Sequence, residues 1–267
     1  MSVDEVETAL PGGVANAGLV FRHGETVRRP ARATHLATHA LLAHLAEVGF
    51  KGAPRFLGID ELGREVLSYV PGDAVTSPYP SWALTHEALI SVAQLLRRYH
   101  DAVATFSPGE HHWPELPPRR FCTGLVSHND PNLDNVVFRD GQAVALIDFD
   151  LASPGSRLWD VAGAARLWAP LRSPDDIRGV VGDTRADEAL ERFRTFVDAY
   201  GPLDLDRDLL VDAARANHSW CYDIVRKGAE SGNPGYVQFW TEGGSARDRR
   251  GRRWFRDSEQ VLRSTLA

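Results

Sequence analysis

The spacing of apolar residues changes character near residue 70. Before that point they come in short alternating runs between turn residues. Leu19-Val20-Phe21-Arg22 and Thr26-Val27-Arg28 flank His23-Gly24-Glu25, which predicts a hairpin that Pro30 ends. Phe56-Leu57-Gly58-Ile59 and Glu65 to Val70 predict a second strand pair around an Asp60–Gly63 turn. Between the pairs, Leu36, Ala40, Leu41, Leu45 and Val48 recur at spacings of three and four, predicting a helix from Thr34 to Val48 that Gly49 stops. Pro71-Gly72 then breaks the chain. Beyond it the period becomes helical. Trp82 to His100 reads as one long amphipathic helix with Leu84, Ala88, Val92, Leu95, Leu96 and Tyr99 on its buried stripe. Further helices are expected at 157–170, 186–200, 206–228 and 253–265, with a Pro-rich loop at Pro108–Pro118 and strands within 125–147. The expected class is therefore α+β and two-lobed, with a strand-rich N-lobe over 1–70 and a mainly helical C-lobe over 71–267.

Composition narrows the function. Thirty basic against 36 acidic residues leave a net charge of −6, which opposes a nucleic-acid binder working by phosphate neutralisation. No apolar run reaches the roughly 18 residues of a membrane helix. The acidic, polar start is unlike a secretory signal, so a cytoplasmic protein is expected. Cys122 and Cys221 are too few and too far apart for a disulfide scaffold or metal knuckle and read as reduced thiols. Only Lys51 and Lys227 are lysines; the other cations are arginines.

The chemistry concentrates in Ser127-His128-Asn129-Asp130-Pro131-Asn132-Leu133-Asp134-Asn135 and Leu146-Ile147-Asp148-Phe149-Asp150. Between them, Val136-Val137-Phe138 and Ala143 to Ile147 form a hairpin about Asp140-Gly141. Folding it sets Asn135 roughly opposite Leu146, so Asn135 and Asp148 emerge at one open end beside the loop that carries Asp130. Two carboxylates and an amide oxygen held this way suit a hard, oxygen-seeking cation such as Mg²⁺. Asp130, beside metal-bound phosphates, has the chemistry to accept a hydroxyl proton.

These residues resemble the aminoglycoside phosphotransferase family, kinases of small hydroxylated molecules related to protein kinases. His128-Asn129-Asp130 with Asn135 is similar to the family's catalytic loop, Ile147-Asp148-Phe149-Asp150 to its metal-binding segment, and Ser153 to Ala162 to a further block. The resemblance implies a base at Asp130, Mg²⁺ ligands at Asn135 and Asp148, a loop-building role for His128, and a bracing carboxylate at Asp160. More weakly, Gly12 to Ala17 resembles the loop over the nucleotide phosphates, implying contacts at Gly13 and Asn16. The strand ending at Val70 resembles the purine-holding connector, implying backbone contacts at Ser68, Tyr69 and Val70. ATP or GTP is the implied phosphoryl donor.

Two departures stand out. The family's strand lysine is absent, and Arg28 or Arg29 occupies its strand. Alternation along the strand, with Thr26 outward and Val27 inward, leaves the choice open; the hairpin alignment favours Arg28. The helix from Thr34 to Val48 carries no carboxylate before Glu47, so the usual lysine–glutamate pair cannot form, and Thr38 or His39 stands near the acid's place. A pseudokinase would show such losses, yet Asp130, Asn135 and Asp148 all remain.

His111-His112-Trp113 reads as surface in its Pro-rich loop, and the arginines from 247 to 256 read as a solvated helix face. Residues 175–212 hold eleven acids against five arginines. The family's C-lobe supplies carboxylates to polycationic acceptors, so this surplus suggests an amine-bearing acceptor, with Asp198 and Asp223 as candidate contacts. The expectation is a Mg²⁺-dependent phosphotransferase acting on a hydroxyl of an aminoglycoside-like or other amine-bearing natural product, in antibiotic resistance or biosynthesis. The chain would be a monomer or homodimer. The competing readings are a pseudokinase with an immunity or regulatory role, and a kinase of choline-like or sugar-like metabolites.

Overall fold

The computed structural model describes residues 7–10, 18–32, 35–109, 111–181 and 188–266. In chain order the strands are β1 (Thr8–Ala9), β2 (Phe21–His23), β3 (Thr26–Pro30), β4 (Phe56–Ile59), β5 (Arg64–Ser68), β6 (Asp73–Ala74), β7 (Leu125–Ser127), β8 (Val136–Arg139), β9 (Gln142–Leu146) and β10 (Ser153–Gly155). The helices are α1 (His35–Glu47), α2 (His86–Val103), α3 (Arg157–Trp168), α4 (Pro174–Val181), α5 (Ala189–Tyr200), α6 (Leu210–Glu230), α7 (Pro234–Phe239), α8 (Ser245–Asp257) and α9 (Glu259–Leu266).

The first five strands form an antiparallel sheet in the order β1-β2-β3-β5-β4. Its alternation matters for the site. Val27 and Arg29 share one face of β3, and across the ladder Arg29 lies opposite Glu65 while Val27 lies opposite Leu67. Leu67, Glu65 and Arg29 are all buried, so an arginine and a glutamate sit on the face that otherwise carries the small core. β3 runs on to Pro30, which pairs at the end of its ladder with Arg64, so the proline closes the strand from within.

α2 starts at His86, four residues after its expected start, because residues 81–84 form a 3-10 turn and Thr85 caps the helix by accepting the Ala88 N–H at 3.2 Å. Its stripe from Ala88 to Val103 is buried against α3 and α5. The Tyr99 hydroxyl donates to Val126 O at 3.0 Å, tying α2 to the strand that leads into the loop carrying Asp130. β8 and β9 form the expected hairpin, with Val136 opposite Leu146 and the Ile147 N–H donating to Asn135 O at 2.9 Å. β7 pairs with β10, a strand pair that the periodicity missed because each member has only three residues. The acid-rich helix over 186–200 begins at Ala189, and residues 182–187 lie outside the described residues. No helix among the described residues is long and apolar enough to cross a membrane. The architecture is a two-lobed, protein-kinase-like α+β fold, with the loops following β7 and β9 meeting the face of the first sheet.

Candidate active site

Asp160 organises the loop after β7. It lies in the first turn of α3 and is fully buried. One oxygen accepts the His128 N–H at 2.7 Å and the His100 Nε2 at 2.9 Å; the other accepts the Asn129 N–H at 2.9 Å. Burial pushes the carboxyl pKa up, but the His100 hydrogen bond and charge, with the backbone donor, outweigh it and hold Asp160 below the ordinary range. His128 is buried and its pKa falls to about 4, chiefly through desolvation, so the ring is neutral. Its Nε2 donates to Ile147 O at 3.1 Å, which leaves Nδ1 to accept the Asp130 N–H at 3.3 Å. Asn129 adopts a left-handed backbone, with φ of 69°. Its amide donates to Leu151 O at 2.7 Å and Ser153 Oγ at 2.8 Å, and its oxygen accepts from Trp159 Nε1 at 2.9 Å. These bonds hold a strained turn in place so that Asp130 faces the cleft.

There the structure brings Asp130, Asn135 and Asp148 together at the rim of one cavity of about 450 Å³, also lined by Asp134, Asp150, His35, Cys221 and Tyr236. Asn135 donates its amide to Asp130 O and Asp130 Oδ2, both at 3.0 Å, which directs its side-chain oxygen away from that loop. Asn132 donates to Asp130 Oδ1 at 3.0 Å. Asp148 also adopts the left-handed region, with φ of 60°. Burial and then the Asp148 charge lift the Asp130 pKa to about 8; burial and then Asp150 lift that of Asp148 to about 6. Crowded carboxylates with raised pKa values, beside an amide oxygen, are a donor set that a divalent cation would relieve. The residues fit Mg²⁺ on these grounds.

The strand arginine facing this cluster is Arg29, which corrects the alignment that favoured Arg28. Period-two alternation puts Arg28 on the opposite face, where it reaches Asp60 at 3.3 Å. Arg29 is 5% exposed; it pairs with Glu65 through Nε, with Asp148 at 3.0 Å and with Asp150 at 2.7 Å. Burial alone would lower its pKa, but Asp150, Asp148 and Glu65 together raise it above the ordinary value. The acid missing from α1 is thus supplied by β5. His39, the residue expected near that place, bonds Glu65 at 2.6 Å and stacks on Phe56, while Thr38 donates to Phe149 O at 3.4 Å. Helical spacing carries no sign of Glu65; the strand register does, since Glu65 sits opposite Arg29, while Asp150 lies in the segment that resembles the family's metal-binding one.

Other expected contacts move or fall away. The Ser68 and Tyr69 N–H groups already donate to Arg55 O and Glu25 O, both at 2.8 Å, so of the three connector residues only Val70 keeps an N–H without a hydrogen bond to a described residue. Asp198 is exposed, pairs with Arg207 at 2.7 Å and borders a separate cavity over 197–207. Asp223 is half-buried and lies near Arg252 at 3.5 Å. Neither lines the cleft, because local arginine partners hold them at the surface. His112 is not purely a surface residue, since it borders the cleft, and Trp113 packs into the core. Gly13 and Asn16 lie outside the described residues.

Raised carboxyl pKa values cost stability once the pH passes the unfolded value. Asp130 stays protonated in the folded chain up to about pH 8 but ionises near pH 4 when unfolded, so the metal-free protein loses stability as pH rises through that window. Asp130→Asn is expected to match wild type in urea unfolding near pH 4 and to exceed it by about 1 kcal/mol or more at pH 8.5 without divalent cations. A difference that does not grow with pH contradicts the assignment of this electrostatic strain.

A model of the phosphotransferase enzyme family matches residues 110–196. The trifolitoxin immunity protein of Rhizobium leguminosarum bv. trifolii is 35% identical over 211 residues, covering 77% of this chain and 78% of that protein. Among solved structures, a choline/ethanolamine kinase family protein from Mesorhizobium loti superposes with a TM-score of 0.65 at 16% identity, covering 98% of this chain and 92% of that one. An ADP-bound aminoglycoside phosphotransferase gives 0.59 at 12% identity, covering 95% of each chain. With the Asp160-braced loop, the paired acidic segment after β9 and the protein-kinase-like fold, these similarities mean that the chain belongs to the aminoglycoside phosphotransferase family.

Proposed function

We propose that the chain transfers the γ-phosphoryl group of ATP or GTP to a hydroxyl of a small molecule. The observation that carries this reading is the convergence of Asp130, Asn135 and Asp148 on one cavity, opposite an arginine buried among carboxylates. In the reaction, Asp130 accepts the hydroxyl proton and orients the attacking oxygen. With a pKa of about 8 in the empty cleft, Asp130 needs a cation bound beside it to ionise at neutral pH, and it is then free to take the proton. Arg29, pinned by Glu65, faces the triphosphate with a planar fork suited to phosphate oxygens. Asn135 and Asp148 are the residues to hold Mg²⁺, which when bound supplies charge neutralisation on the phosphates. The remaining contribution is positioning by a rigid loop.

The relative named for immunity favours one physiological role: modification of a toxic natural product, so that phosphorylation protects the producing or exposed cell. Retention of Asp130, Asn135 and Asp148 supports an active enzyme over a binding-only pseudokinase.

Two substitutions test the assignment. Asp130→Ala should lower turnover by roughly 10²–10⁴ while largely preserving nucleotide affinity, read by steady-state kinetics and calorimetry. Wild-type turnover in that variant would remove Asp130 as the base. Asp148→Ala should abolish the Mg²⁺-dependent part of nucleotide binding, and an unchanged titration would remove the metal assignment.

A further inference from the structure

The cleft is lined by two chemically different sets of residues. Asp130, Asp134, Asp148 and Asp150 come from the loops after β7 and β9, whereas α6, α7 and the Pro-rich loop supply a second part of the lining. On α6, Cys221, Ile224, Val225 and Gly228 recur at spacings of three and four, so they share one helix face. That face carries no charge, while Asp223, Arg226 and Glu230 lie on the other side of the helix. Cys221, Ile224 and Val225 are half-buried and line the same cavity as Asp130. Gly228 leaves room on this face for a ring. A Cβ there would overlap the Tyr236 side chain, so the tyrosine packs directly on the α6 backbone. The chain reverses through Gly232, with φ of 83°, and Asn233 caps α7 by accepting the Tyr236 N–H at 3.2 Å.

Tyr236, held this way, also lines the cavity. Its hydroxyl has no hydrogen bond to a described residue, whereas the hydroxyls of Tyr79, Tyr99 and Tyr200 engage Asp134, Val126 O and His100. Burial, then the Asp130 charge, raises the Tyr236 pKa, so the hydroxyl stays protonated and able to donate. The acids around the cavity are occupied in other ways. Asp148 and Asp150 hold Arg29, Asp134 accepts from Tyr79, and Asp130 accepts from Asn132 and Asn135. Glu115, from the Pro-rich loop, pairs with Lys227 at 3.2 Å. No described acid of residues 175–212 lines the cavity, and Asp176, Asp198 and Asp212 pair with Arg250, Arg207 and Arg215. A polycation laid on the α6 face would lose hydration without gaining ion pairs there. An uncharged ring instead removes apolar surface from water on both partners and stacks on the phenol.

We propose that the α6–α7 wall is the acceptor subsite, with Tyr236 as its specificity-determining residue. The acceptor is an uncharged hydroxylated molecule with an apolar ring beside the reacting hydroxyl, not a polyamine. Its ring lies against Ile224, Val225 and Tyr236, the Tyr236 hydroxyl donates to one of its polar atoms, and the reacting hydroxyl stands at Asp130. This inference rests on the phosphotransferase reading and names its substrate class. It takes the place of the amine-bearing acceptor expected from the acidic surplus.

The test uses the full chain with Mg²⁺, ATP and two sets of acceptors. One set is phenyl β-D-glucoside, methyl β-D-glucoside and glucosamine; the other is N-acetylserine benzylamide, N-acetylserine methylamide and serine methylamide. Transfer of labelled γ-phosphate gives kcat and KM, and calorimetry with a non-hydrolysable ATP analogue gives acceptor affinity where turnover is slow. In at least one set the ring-bearing member should be preferred roughly tenfold or more over both others. Tyr236→Ala should bring that preference close to parity through KM, with Mg²⁺–nucleotide affinity unchanged, and Tyr236→Phe should retain it. Gly228→Ala, which displaces the ring and keeps the tyrosine, should also reduce the preference. Melting curves identify a variant that fails to fold, and if Tyr236→Ala does so, Gly228→Ala decides. Equal or better use of the amines, no ring preference in either set, or a preference unchanged in the folded variants overturns the inference. Titration of Mg²⁺ and the nucleotide analogue into wild type without acceptor separates the two failures. Absent nucleotide binding defeats the phosphotransferase reading itself, whereas nucleotide binding without ring preference defeats the subsite alone.

Discussion

The cleft depends on a single buried cation. Arg29 sits on the inner face of a sheet, where an unpaired charge would unfold so small a core, and it persists there because Glu65, Asp148 and Asp150 surround it. Two of those carboxylates come from the loop after β9 and one from the neighbouring strand. The ion cluster therefore joins the N-terminal sheet to the segment proposed to hold metal, and it fixes how far apart they stand. Removing the arginine leaves three crowded carboxylates; removing Glu65 frees the guanidinium to collapse onto Asp148. α1 is tied to the cluster only indirectly, through His39 on Glu65 and His35 at 3.6 Å from both Glu65 and Asp150. His35, His39 and Glu65 gather closely enough to suggest a metal site, but Glu65 is already committed to Arg29 and His39.

A second constraint keeps the opposing side rigid. Asn129 and Asp148 both hold left-handed backbone conformations, which cost energy in a residue with a side chain. Asp160, His100, Trp159 and Ser153 over-determine the first with buried hydrogen bonds, and Arg29 engages the side chain of the second. The result is a pair of loops whose carboxylates cannot relax apart, and burial first, with neighbouring carboxylate charge second, raises the pKa values of Asp130 and Asp148. Such stored repulsion is useful in a phosphotransferase, because it is relieved when cation and nucleotide bind.

Much of this was legible in the sequence. The hairpin between Asn135 and Asp148 follows from its turn residues and alternation, and its length alone brings the two ends together. Asp160 announces itself at the start of an apolar helix. Alternation leaves Arg28 and Arg29 open and alignment points to Arg28; the burial of Arg29 on the inner face of the sheet decides between them. Glu65 was illegible from a scan along the helix, because its role arises across a strand pair. The acidic surplus is less legible for a different reason. Net charge counts residues, whereas a binding site depends on charges left without partners, and Asp198 and Asp176 are held by arginines.

Arg29, held by a strand glutamate, is proposed to make the phosphate contact that a lysine makes elsewhere in the family. Calorimetric titration of Mg²⁺ with a non-hydrolysable ATP analogue into wild type and folded Arg29→Met measures it directly. An affinity loss of roughly tenfold or more is expected, since a charge-assisted phosphate contact is removed from a desolvated site. Equal affinity in the two proteins would contradict it.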